Sequence, residues 1–180
     1  MARVPLIDLS TVPGALGETL RSRPPLNIYR VLANAPQVTA GFLALGRAIL
    51  GQSSIDPGLR ELVILRVGVL SDAPYEVHQH RKVARSVGVS PEKIEAVLVG
   101  TDGAVFTDAE RVALAFTDAV VREVKAPQAL YDRLAAHLGP QWQIELLMTI
   151  GFYMMVSRLL ENLEVELEET NVEHLEVPRD

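Results

Sequence analysis

Residues 56–90 read DPGLRELVILRVGVLSDAPYEVHQHRKVARSVGVS, and this stretch decides the fold. Asp56 followed by Pro57 is a helix start, because an aspartate accepts free N–H groups of the first turn and proline at the first helical position forfeits no hydrogen bond. From there Leu59, Leu62, Val63, Ile64, Leu65, Val67 and Leu70 put apolar side chains on every face, which predicts a buried helix to residue 70. The run Val67-Gly68-Val69-Leu70 taken alone could be a strand, but the length of the segment and its cap favour a helix. Ser71-Asp72 offers a second cap with Pro74 tolerated in the first turn, so another helix is expected over about 73–86, stopped by Gly88. Two helices joined by so short a turn must run back along one another as a hairpin.

The same signals extend in both directions. Upstream, Ile28, Val31 and Leu32 start a helical period that breaks at Ala35-Pro36 and resumes through Val38, Phe42, Leu45 and Ile49 until Gly51. Downstream, Ser90-Pro91 opens a short helix ending at Gly100, and Thr107 with Glu110 forms a capping box before a helix to about residue 124. Pro127 begins another, closed by Gly139, and a last helix is expected over about 140–168 with Trp142, Leu146, Ile150, Tyr153, Met154, Leu160 and Leu163 along it. Residues 1–25 hold four prolines and no sustained period, so they read as an extended arm that wraps its own domain or a neighbour. The expected organisation is an arm over 1–25, an all-α domain over 26–168 and an acidic tail over 169–180.

Composition excludes several functions. At 180 residues one core suffices. A net charge of −6 without clustered Lys or Arg argues against nucleic acid, since phosphate binding draws on such clusters. The chain has no cysteine, which removes disulfides, thiolate metal sites and thiol nucleophiles. Nothing at the start reads as a secretory leader, and the longest apolar run, 146–156, is interrupted by Thr149 and Gly151 and is short for a bilayer, so a cytoplasmic protein is expected. There is no Gly-rich phosphate loop, no G-x-S-x-G and no H-E-x-x-H.

The hairpin is where ionisable groups sit among apolar ones. Glu76 and His80 are four apart and share a helix face. If the chain reverses near Ser71-Asp72, a rise of about 1.5 Å per residue brings Glu61 and His80 to levels differing by roughly 3 to 4 Å. A carboxylate desolvated among Leu59, Leu62, Val63 and Leu65, facing an imidazole, can pass a proton near neutral pH. Structural readings stand beside this one: Glu61 could pair with an arginine such as Arg66 from a neighbouring helix or Arg60 from another subunit, and Glu76 with His80 could be a surface pair worth a few tenths of a kcal/mol. His78 points to a different face, His137 suits a helix C-terminus and His174 lies in the acidic tail, so none of the three is assigned chemistry. As metal ligands only Glu76 and His80 have helical spacing, so no metal and no cofactor is expected. Trp142, Tyr153 and Met154 are spaced to line an apolar cavity or to fill core.

Arg60-Glu61-Leu62-Val63-Ile64-Leu65-Arg66-Val67, then Tyr75-Glu76, His80 and Val87-Gly88-Val89-Ser90, resemble the carboxymuconolactone decarboxylase and AhpD-like family. The resemblance is specific over about 56–100, and looser through Asn27–Leu32 and from Phe152-Tyr153 to Leu163. It implies an all-α AhpD-like bundle around the central hairpin, assembled as dimers, trimers or hexamers. In the AhpD branch a glutamate precedes C-x-x-C-x-x-x-H; here the glutamate matches Glu61 and the histidine His80, while Ala73 and Glu76 stand where the cysteines would be. Disulfide-linked peroxide reduction therefore has no thiols to work with, and the proton-transfer residues remain. That remainder resembles the decarboxylase branch, which removes carbon dioxide from 4-carboxymuconolactone. The resemblance implies a small carboxylated or lactone substrate, with His80 as acid–base group, Glu61 orienting it, Glu76 holding the shared proton, and Arg66, Tyr75, Trp142 and Tyr153 contacting substrate.

Overall fold

The structure, a computed structural model, describes residues 2–168. Among them are nine α-helices and no strand: α1 (Gly14–Arg21), α2 (Asn27–Leu32), α3 (Pro36–Arg47), α4 (Pro57–Leu70), α5 (Pro74–Ser86), α6 (Pro91–Val99), α7 (Asp108–Glu123), α8 (Gln128–His137) and α9 (Pro140–Asn162). A 3-10 turn, Leu9–Thr11, precedes α1, and a π turn, Ala48–Gln52, continues α3.

Helix α4 is the axis. Asp56 accepts from the Leu59 N–H at 3.0 Å, Pro57 occupies the first turn, and all ten residues from Leu59 to Gly68 are buried. A helix apolar on all sides has to be enclosed, and α5, α6, α7 and α9 enclose it. The core is aliphatic, with Leu62, Ile64, Leu65, Ile94, Leu114, Leu134, Leu146 and Ile150 all fully enclosed. Gly68 sets the closeness of the hairpin: a Cβ there would lie 3.1 Å from Val77 Cγ2 and 3.5 Å from Glu76 Cβ. The α4–α5 turn differs from expectation. Asp72 takes φ +51° and closes the turn, and α5 begins at Pro74 with no side-chain cap. The capping box expected downstream is present, with Thr107 accepting from the Glu110 N–H at 3.2 Å and Glu110 accepting from the Thr107 N–H at 2.7 Å.

Two expectations need correction. The segment 1–25 is not extended throughout, since it carries the 3-10 turn and α1. The reason is local: Leu9, Val12 and Leu20 form a small core with Ala33 and Leu43, and the backbone of Val12 crosses α1 at Gly17, where a Cβ would come within 1.8 Å of the Val12 carbonyl oxygen. A glycine that reads as punctuation is here a close contact. The rest of the segment does lie on its own domain, with the Arg3 N–H donating to the Leu163 carbonyl at 2.9 Å. Second, α9 stops at Asn162 rather than near residue 168. Glu164 takes φ +50° and the Val165 N–H donates to the Leu160 carbonyl at 3.0 Å, a closing turn that sends 165–168 back toward α2 and α5.

By length and composition α9 is the one helix among the described residues long and apolar enough to cross a membrane, contrary to the reading from uninterrupted runs. Its face containing Leu146, Ile150, Tyr153, Val156 and Leu160 is nevertheless buried, with α4 its main neighbour. Ile144, Leu147, Met148 and Met155 form an exposed stripe on the other side.

Candidate active site

The hairpin delivers the predicted meeting. His80 Nδ1 lies 2.7 Å from Glu61 Oε2 across the α4–α5 contact, and His80 Nε2 lies 3.5 Å from Glu76 Oε2 one turn back on α5. Glu61 is wholly enclosed, and Glu76 is 4% exposed. The second Glu61 oxygen faces buried Arg60, with Nε at 3.5 Å, so the Arg60 alternative coexists with the histidine contact within one chain. Tyr153 of α9 stands edge-on to the imidazole, ring centroids 4.8 Å apart. These groups back onto a cavity of about 390 Å³ whose wall includes His80, Glu76, Tyr75, Gln79 and Tyr153, with Phe42 and Phe152 as apolar lining.

The electrostatics follow from this packing. Burial alone would lower the His80 pKa, but the Glu61 carboxylate, its hydrogen bond and Glu76 together outweigh it, and the net shift is upward. Burial raises Glu76 above the ordinary carboxylate range, with His80 opposing and Glu61 reinforcing. Burial followed by the two carboxylates holds the Tyr153 phenol far above its usual value, so it stays neutral. With Nδ1–H donating to Glu61, Nε2 faces Glu76, whose Oε2 is buried and has no hydrogen-bond partner among the described residues.

Of the residues expected to touch substrate, Tyr75 and Tyr153 line the cavity, and Arg66 and Trp142 do not. Arg66 is corrected to a structural role: its Nε and Nη2 grip Asp118 of α7 at 2.5 and 2.7 Å, and Nη1 donates to the Val97 carbonyl at 3.2 Å. On α4 it is about a turn and a half from Glu61 and points away from the hairpin side. Trp142 lies about three turns below Tyr153 and donates to the Ser54 carbonyl at 3.2 Å. Arg23 went unnoticed because it falls in the segment read as an arm; it sits on the cavity wall, Cζ 5.7 Å from the Tyr29 ring centroid, with a buried Nε that has no hydrogen-bond partner among the described residues. Gln79 was also missed, although it stands four residues after Tyr75 on the same face of α5. His78 is partly buried and off the cavity, His137 is exposed at the end of α8, and His174 lies outside the described residues. Among the described residues, no three His, Asp or Glu are grouped to hold a metal ion.

Comparison with known proteins agrees with the motif. The model of the carboxymuconolactone decarboxylase family matches residues 36–119, which contain both helices of the hairpin. Over those residues, a little under half of its length, the chain is similar to the carboxymuconolactone decarboxylase family. The chain is also similar to YnjA of Escherichia coli, 32% identical over 116 residues, a match that covers 63% of this chain and 63% of YnjA. YdfG of Bacillus subtilis is 24% identical over 102 residues, covering 56% of this chain and 69% of YdfG. The bundle is shared with an AhpD-core, peroxidase-related protein of Ralstonia eutropha, at TM-score 0.85 and 18% identity over 93% of each chain. It is also shared with the debrominase Bmp8, at TM-score 0.82 and 19% identity over 92% of each chain. At these identities the two structures establish the fold, which is AhpD-like.

Proposed function

We propose that this protein is a carboxymuconolactone decarboxylase-like, cofactor-independent lyase or isomerase that moves protons on a small carboxylated or lactone substrate. The observation that carries the reading is His80, fixed by an enclosed glutamate on one nitrogen and facing a second buried glutamate at the wall of the cavity. Loss of carbon dioxide beside a carbonyl breaks a C–C bond and leaves the electron pair on the adjacent carbon as an enolate. That centre needs a proton, which Glu76 supplies and recovers through His80, while Glu61 keeps the imidazole in the productive tautomer. The burial that raises the Glu76 pKa favours the protonated carboxyl that a proton donor needs. Arg23, in the cavity wall, offers positive charge to the developing oxyanion.

A chain with no cysteine forms no internal disulfide, so the thiol peroxidase route has no support here. The proposal includes a cytoplasmic, homo-oligomeric enzyme. The α9 stripe of Ile144, Leu147, Met148 and Met155 supports assembly, because four large apolar side chains on one exposed face are costly to leave in water. A non-catalytic assembly protein on the same scaffold would use that stripe and ignore the cavity. The test is turnover of 4-carboxymuconolactone and related lactone carboxylates by wild type and His80→Ala, with circular dichroism and size-exclusion profiles in parallel. Loss of at least 100-fold in kcat with fold and assembly retained is expected; equal turnover in the variant would end the acid–base reading.

A further inference from the structure

The wall of the cavity holds a second constellation beside the proton-transfer groups. Tyr75 and Gln79 form one (i, i+4) row on α5, and Glu76 and His80 form the next row along; all four line the same space. The Tyr75 hydroxyl and the Asn27 backbone N–H each donate to one oxygen of Glu168 at 2.6 Å, and Gln79 Nε2 donates to the other at 2.7 Å. Both carboxylate oxygens are thus engaged, by donors from α2 and α5. The three donors are neutral, so the carboxylate is held by directed hydrogen bonds and not by an ion pair with any of them.

We propose that Asn27, Tyr75 and Gln79 form a carboxylate seat belonging to the cavity, and that Glu168 is a built-in competitor which an incoming carboxylate displaces. Because it names where a substrate carboxylate is anchored, this inference rests on the reading of a carboxylated substrate given above. Three features carry it. Tyr75 is 3% exposed and Gln79 5% exposed, so an emptied seat would strand two buried polar groups; whatever replaces Glu168 must itself accept hydrogen bonds at two points. Exchanging one carboxylate for another keeps those bonds and leaves no uncompensated cation behind. The segment carrying Glu168 lies outside any helix: Val165 is buried beneath it and Asn27 Nδ2 donates to the Glu166 carbonyl at 3.0 Å, while Leu167 is 40% exposed. The seat is not the locus of bond cleavage. It holds a carboxylate that stays on the substrate and positions the reacting carbon toward the neighbouring Glu76–His80 row.

The experiment is calorimetric titration of the full chain with benzoate and with its neutral isostere benzamide. Glu168→Ala should bind benzoate at least 10-fold more tightly than wild type, with benzamide affinity changed less than twofold. Adding Tyr75→Phe or, separately, Gln79→Met to Glu168→Ala should erase the gain; using two partners protects the result against one misfolded variant. Equal benzoate affinity in wild type and Glu168→Ala, an equal gain for benzamide, or a gain insensitive to both partner substitutions would overturn the seat. His80→Ala combined with Glu168→Ala should keep the benzoate gain. Binding is thereby scored apart from turnover, and failure of the acid–base reading would show in the His80→Ala kinetics alone.

Discussion

Glu61→Gln isolates the charge that sets the state of His80. The substitution keeps the size of the side chain and an oxygen able to accept from Nδ1, so packing around this enclosed position is preserved while the negative charge at 2.7 Å is lost. Burial, which already opposes protonation of His80, then prevails over the remaining help from Glu76. A hydrogen bond to a charged partner contributes about 1.5–3 kcal/mol, and losing that preference for the charged imidazole lowers the His80 pKa. The sign for stability follows. In the wild type the raised His80 pKa contributes stability that is complete below the free-histidine value near 6.5 and is lost as pH rises through the folded value. In Glu61→Gln the folded value lies below the free one, so the His80 contribution is present above that pH and is lost on acidification. NMR titration of the His80 ring protons, with urea unfolding at pH 6 and pH 8, measures both quantities. An unchanged or raised His80 midpoint in Glu61→Gln would refute the electrostatic argument, whatever happened to activity.

Other perturbations separate structure from chemistry. Arg66→Ala breaks the ion pair with Asp118, which is one-fifth exposed, and should cost about 2–4 kcal/mol in urea unfolding while the His80 titration stays in place; a shifted His80 midpoint would return Arg66 to the site. Gly68→Ala pushes a methyl against Val77 and should cost about 1–3 kcal/mol by thermal unfolding and loosen the Glu61–His80 contact, seen as a His80 pKa moving toward 6.5. Ile144→Glu with Met148→Glu should lower the mass measured by light scattering without changing far-UV circular dichroism, and an unchanged mass would remove the α9 stripe from the assembly proposal.

Capping residues and hydrophobic period carry most of the helix boundaries, because Asp56-Pro57, Ser90-Pro91 and Thr107 with Glu110 act locally and the structure uses each as written. The Glu61–His80 meeting was legible for a similar reason: a short turn and a fixed rise leave little freedom in the level at which two hairpin positions face each other. Arg66 shows where this reasoning stops. Its partner Asp118 is fifty-two positions away in sequence, and no local spacing reveals which of several neighbours of a wholly buried helix a given side chain will find. Arg23 and Glu168 were hidden for a related reason, since a proline-rich start and an acidic end look solvated until tertiary packing turns them back onto the bundle. Trp142 was misplaced because apolar spacing along α9 identifies a face but not which stretch of that face opens onto empty space.

Helix α4 is greasy on all sides, and dispersion forces alone would let such a cylinder turn or slide within its sheath at little penalty. Its three ionic side chains act as keys in a lock: Glu61 fits only opposite His80, Arg66 only opposite Asp118, and Arg60 lies against Glu61. Any rotation would leave two charges facing hydrocarbon. The register of the whole bundle is thereby coupled to the Glu61–His80 contact on which the proposed chemistry rests, so a sequence drifting at those positions would blur its shape along with that contact.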